Sequence, residues 1–297
     1  MGQNLEKQHK DVLSPHPAIP LAISGDLEEF KKHTDTYGKV DAQDNNCLHG
    51  LFTATSATPN HIKILLHLAS HLGSASPPSP REGSFLDAVK AKNNLGCSVV
   101  WVGVAYQAVA LLDELITVLG KKEVKDLVMV PNDQGDTGIL AAVSRGGLES
   151  LRWVAKLFEG DEKGMGELVG KRNKNGTDLV QAAVGGRHVE TVRMLVELLP
   201  KGRFGERMGN GMYPIHVAAE RDCGGIVKLL VGAGARIEVT DKNGATPLMV
   251  ASFVGAKEVV EVLLSEGADK EATDGEGRRA VDLAEAKKFG EIVEILK

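Results

Sequence analysis

Apolar residues fall on helical spacing through most of this chain. In the stretch Lys257–Ser265, Val259, Val260, Leu263 and Leu264 recur at intervals of one, three and four, the stripe of a helix that buries one face. Just upstream, PLMVASFV from Pro247 places Leu248 and Ala251 on an inward face, and Gly255 divides the two segments. Before the pair stands Asp241-Lys-Asn-Gly244, in which Asp opens a turn and Gly takes the positive φ that other residues resist. Thr246 is placed to cap the first helix, and Pro247 suits its first position because its missing N–H is not needed there. Gly211, Gly244 and Gly277 stand 33 residues apart, and the whole pattern repeats with that step. A pair of helices this short cannot bury its apolar stripe alone, so the pattern predicts units stacked in a row.

Upstream the period loosens. Gly96, Gly135, Gly176 and Gly211 are separated by 39, 41 and 35 residues. The extra residues fall after the second helix, in stretches such as GDEKGMGELVGKR, where they lengthen a helix or the following loop without breaking the stack. The units read as 93–131, 132–172, 173–207, 208–240 and 241–273, followed by a C-terminal cap over 274–297 with a charged outer face. Before them lies a degraded unit, 41–92, with TSATP inserted between its helices and a Pro/Ser loop at 73–84. Residues 17–40 read as a first unit without a good turn. The expectation is one array over 1–297.

Residues 241–273 resemble the ankyrin repeat: Asp-x-x-Gly, then Thr-Pro-Leu, a glycine between helices, Leu-Leu, and Gly-Ala-Asp. Residues 208–240 carry YPIHVAAE and LLVGAGA, but have Met208 in place of the opening Asp and Tyr213 where Thr is usual. The resemblance is specific over 173–297, looser over 93–172 and weak before 93. It implies an all-α ankyrin-repeat solenoid of stacked helix-turn-helix units with lengthened middle repeats. It also implies that His216, after Pro214-Ile215, braces neighbouring turns by hydrogen bonds. His49 and Trp101 occupy the matching slot, Trp101 as a bulky packing substitute, and Trp153 lies on a core stripe.

Composition adds exclusions. A 42% hydrophobic, 25% charged chain of net charge −5 is that of a water-soluble globular protein, without the basic face of a nucleic-acid binder. No run approaches 18 apolar residues, so no membrane span is expected. Cys47, Cys97 and Cys223 are scattered and odd in number, giving no disulfide or zinc spacing and pointing to a reducing compartment. The opening MGQNLE carries Glu6 where a myristoylation motif needs Ser or Thr. The glycines near Lys171 lack phosphate-loop spacing, and no H-E-x-x-H, G-x-S-x-G or paired-Cys motif occurs.

Function is therefore expected from surface slots. In the ankyrin family partners are commonly gripped by the turn tips and the exposed end of each first helix, along a concave face. Mapped onto this chain, the slots hold Tyr106, Asp136, Arg145, Lys174, Met212, Glu220, Arg221, Lys242, Phe253 and Val254. Phe253 and Val254 read as an exposed apolar anchor beside Met212, with Arg145, Arg221 and Lys174 orienting acidic or amide groups; aromatic and Arg residues are the usual hot-spot types. The leading expectation is a non-catalytic adaptor for a protein or peptide, with no cofactor or metal, no nucleic acid and no membrane. It is expected to be a monomer in the cytoplasm, with the nucleus as the alternative compartment. The second reading is a small-molecule binder or enzyme whose cleft lies in the irregular repeats 93–207, where Trp101, Tyr106, Asp136 and Arg145 would converge. A third is self-assembly through the degraded N-terminal unit. Ser76 and Ser79 each precede a proline, as a proline-directed kinase requires.

Overall fold

The computed structural model describes residues 21–22, 24–32, 47–53, 58–73, 85–208 and 211–297. The myristoylation reading at the N-terminus, the Pro/Ser loop with Ser76 and Ser79, and most of the proposed 17–40 unit lie outside these residues. The elements formed by the described residues are all helices, joined by turns, and include no strand, as the repeat pattern predicts. No helix among them is long and apolar enough to cross a membrane.

The contacts divide the chain into two compact units. The first comprises Met1–Ala142 with Glu149–Leu168, and the second Val143–Leu148 with Val169–Lys297. In the first unit α1 (Leu27–Phe30), α2 (Cys47–Phe52), α3 (Pro59–Gly73) and α4 (Phe85–Lys90) precede the better-formed pair α5 (Val99–Ala105) and α6 (Val109–Leu119). Helix α5 packs on α2, its counterpart in the preceding repeat, and α6 packs on α3. The degraded unit therefore stacks like its neighbours despite its lost turn consensus. Phe52, Leu111, Leu112 and Leu115 are fully buried between these helices.

The lengthened repeats contain a third helix. Helix α7 (Lys121–Val128) follows α6 after a break at Gly120 and packs on both α5 and α6. Its Val124, Leu127 and Val128, spaced i, i+3, i+4, are buried. The next repeat has α8 (Gly138–Val143), α9 (Leu148–Leu157) and an extra α10 (Glu162–Gly170), whose Leu168 and Val169 are buried. Asp161 caps α10 by accepting the Gly164 N–H at 2.9 Å, and it pairs with Lys125 of α7 at 2.8 Å. The sequence reading foresaw longer helices or loops here; the inserted residues instead carry enough apolar surface to form helices of their own.

The second unit holds α11 (Leu179–Gly185) and α12 (Val189–Leu198), a 3-10 turn at Lys201–Gly205, and three regular pairs. These are α13 (Pro214–Glu220) with α14 (Gly224–Gly232), α15 (Pro247–Val254) with α16 (Lys257–Ser265), and α17 (Ala280–Lys287) with α18 (Gly290–Leu296). First helices pack on first helices in the order α11, α13, α15, α17, and second helices in the order α12, α14, α16, α18. Leu248, Ala251, Val259, Val260 and Leu263 are buried, as their stripes predict, and the fully buried Phe204 of the 3-10 turn fills the space after α12. In the last pair Glu285, Lys287, Lys288, Glu291 and Glu294 are exposed.

Candidate functional site

The turns that precede each first helix share one construction. The opening Asn or Asp accepts two backbone N–H groups: Asn93 from Leu95 and Cys97, Asn132 from Gln134 and Asp136, Asn173 from Asn175 and Thr177, Asp241 from Asn243 and Ala245, and Asp274 from Glu276 and Arg278. Short side-chain carbonyls do this because they reach their own backbone two and four residues on. Met208 has no such side-chain acceptor; its N–H donates to the Met212 carbonyl at 2.8 Å, and its carbonyl accepts the Gly211 N–H at 3.0 Å. Adjacent turns also bond to each other: Asp133 N–H donates to the Leu95 carbonyl and Gly275 N–H to the Asn243 carbonyl.

A second set of bonds ties the first helices α2, α5 and α13 to the turn that follows in the next repeat. His216 Nε2–H donates to the Ala245 carbonyl at 3.0 Å while its Nδ1 accepts the Tyr213 N–H at 3.3 Å. His49 Nε2–H donates to Cys97 O at 2.9 Å, and the Trp101 indole N–H donates to Asp136 O at 2.7 Å. The acceptor in each case is the residue after the turn glycine. The bracing expected of His216 and His49 is present, and Trp101 supplies the same donor from a larger ring. Its contact with Asp136 thus uses the indole for fold, through the Asp136 backbone.

Burial holds the His216 imidazole below its ordinary value near 6.5, against the opposing pull of the Ala245 carbonyl. Protonation would place a hydrogen on Nδ1, where the Tyr213 N–H already points. The unfolded chain therefore binds more protons than the folded chain as pH falls below about 6.5. Stability contributed by neutral His216 is complete above that pH and is lost on acidification. Urea titrations at pH 7.5 and 5.5 should show a loss that shrinks in His216→Gln; an equal loss in both proteins would refute this assignment.

The proposed surface residues lie on these turns and helix ends. Arg145, Lys174, Glu220, Arg221, Lys242, Phe253 and Val254 are exposed, and Tyr106, Asp136 and Met212 are half-buried. Phe253 (46% exposed) and Val254 (38%) end α15, whose Leu248, Met249, Ala251 and Ser252 are buried. The Phe253 ring carries Lys287 Nζ 4.2 Å above it, a cation–π contact between successive repeats. The sequence reading passed over Lys287, although it occupies the slot of Arg221 and Val254, at 33-residue steps. It also passed over Arg187, which holds φ +63 at the end of α11 and donates to Cys223 Sγ and the Asp222 carbonyl.

Two cysteines among the described residues, Cys97 and Cys223, are buried. Burial pushes the Cys97 thiol up to about 12. Cys223 is buried against Arg187. A shallow hollow beside α17 and α18 is lined by Glu271, Arg279, Asp282 and Glu285 among others. Arg279 is already bonded there to Asp282 and Glu271, so its charge is spent within the wall.

Comparison with known families agrees with this geometry. Residues 196–274 and 215–296 match the model for ankyrin repeats (3 copies). No curated protein matches the chain. The turn and the helix pair recur across that same stretch, where His216 braces one turn, and it is this C-terminal region, residues 196–296, that matches the ankyrin-repeat family.

Proposed function

We propose that this chain, like ankyrin-repeat arrays in general, is a protein-interaction module, binding a protein or peptide across the turn tips and first-helix ends of its repeats, without catalysis. The observation that carries the reading is the pair Phe253 and Val254, exposed at the end of a helix whose Leu248, Met249 and Ala251 are buried. Arg221 and Glu220, exposed at the end of α13, supply polar contacts one repeat away, and Lys174 and Lys242 do so from the turn tips. Large apolar and Arg side chains in such positions are typical anchors, and several adjacent repeats offer the roughly 800 Å² per partner that a stable interface needs.

A partner recovered by affinity purification from the native source supplies the test. Phe253→Ala should weaken its binding by about 2 kcal/mol, roughly thirtyfold, if Phe253 is a central anchor. Unchanged affinity in both Phe253→Ala and Arg221→Glu would remove this surface from consideration.

A further inference from the structure

We infer that the partner segment is an extended acidic peptide with an apolar residue near its middle, bound along the first-helix ends of the second unit; this rests on the surface proposed above. In each repeat the last residue of the first helix and the two positions after it occupy corresponding slots. Along the second unit, which takes in Val143–Leu148, those slots hold Arg145, Arg187, Arg221, Lys287 and Lys288, against Glu220 and Asp222 as the carboxylates. The complete chain has net charge −5, so this row is opposite in sign to the protein that carries it. Corresponding slots in the first unit are uncharged: Ala105, Tyr106 and Gln107.

Contacts between repeats make the row continuous. His188 Nε2–H donates to the Ser144 carbonyl at 3.0 Å, Arg187 donates to the Asp222 carbonyl at 3.3 Å, and Lys287 lies over Phe253. The α11, α13, α15, α17 stacking order sets these ends side by side. Phe253 and Val254 fall between the cations of α13 and α17, which places an apolar step within a basic track. First helices packed about 10 Å apart give the five slots a span near 40 Å. An extended strand rising about 3.3 Å per residue covers that span in roughly 12 residues. Carboxylates along such a strand meet the cations, and a central apolar side chain rests on Val254 and Phe253.

Fluorescence anisotropy with the full chain tests this. The probes are a peptide of about 12 residues rich in Asp and Glu with a central Leu, its Lys-substituted counterpart, and a version bearing phosphoserine. The acidic peptide should bind and the basic one should not, and added salt should weaken the complex. Arg221→Glu with Lys287→Glu should weaken it at least about tenfold, and the neutral Arg221→Ala, Lys287→Ala pair by a smaller factor. Both substituted side chains are exposed, and matching far-UV circular dichroism checks folding. Equal binding of acidic and basic peptides, indifference to charge reversal, or binding of the phosphorylated peptide alone overturns the inference. If Phe253→Ala still weakens a native partner, the surface survives and only its acidic preference falls; if it does not, the surface itself falls.

Discussion

Trp153→Ala should destabilise the first unit by about 3–5 kcal/mol, the range for truncating a buried aromatic. Trp153 sits on α9 with 5% of its surface exposed, and its indole N–H donates to Asp113 Oδ1 on α6 at 2.9 Å. The substitution empties a space between two helices that depend on each other for burial, and it leaves Asp113 without that donor. Trp153→Phe keeps most of the ring volume and loses the bond, so it should cost nearer 1–2 kcal/mol. The chain has two tryptophans, and the other, Trp101, lies in the same unit. Its fluorescence during urea unfolding therefore reports the loss directly. A midpoint shift corresponding to under 1 kcal/mol for Trp153→Ala would show that the α6–α9 contact contributes little.

Some of this structure was legible because its rules are local. Asn or Asp followed three residues later by Gly specifies a turn whose hydrogen bonds all close within five residues. Thr246, Pro247, Leu248 and Ala251 likewise do what their types dictate: Thr246 Oγ1 accepts the Met249 N–H at 3.4 Å, and the two apolar residues are buried. Trp153 could be assigned to the core from its stripe alone. The third helices were harder. KKEVKDLV and EKGMGELVG look like polar insertions, and only the spacing of Val124, Leu127 and Val128 or of Leu168 and Val169 marks a buried face. That face has no meaning until the neighbouring helices are placed.

The surface was the least legible part. Consensus slots locate Arg221 and Phe253, but the sequence does not display that Lys287 reaches back over the Phe253 ring or that Arg187 bonds into the next repeat. Those contacts depend on side chains from positions 34 and 35 residues away, and a linear reading that ranks each slot separately discards them. Trp101 shows a related gap. Its size suggested packing, whereas its indole N–H takes over the donor role that imidazole performs in His49 and His216.

Gly244→Val tests whether the turns hold the second unit together, and we expect a cost of about 3 kcal/mol or more. Gly244 has φ +79, a conformation that costs an ordinary L residue roughly 1–2 kcal/mol and a β-branched one more. A Cβ there would also lie 2.7 Å from the backbone nitrogen of Gly275, a contact that backbone cannot relieve by a rotamer change. That nitrogen donates to the Asn243 carbonyl at 2.9 Å, so pushing it away breaks the bond joining successive turns. The same turn positions Ala245, whose carbonyl accepts from His216, so the strain reaches the preceding repeat as well. Gly211→Val separates the two contributions. Gly211 has φ +82 but nothing within 4 Å of a built Cβ, so it should bear the conformational cost alone and lose less. Hydrogen exchange across α13 to α18, with urea denaturation, measures both. Equal losses in the two variants would mean that backbone conformation dominates and that the turn-to-turn bond adds nothing to the stack.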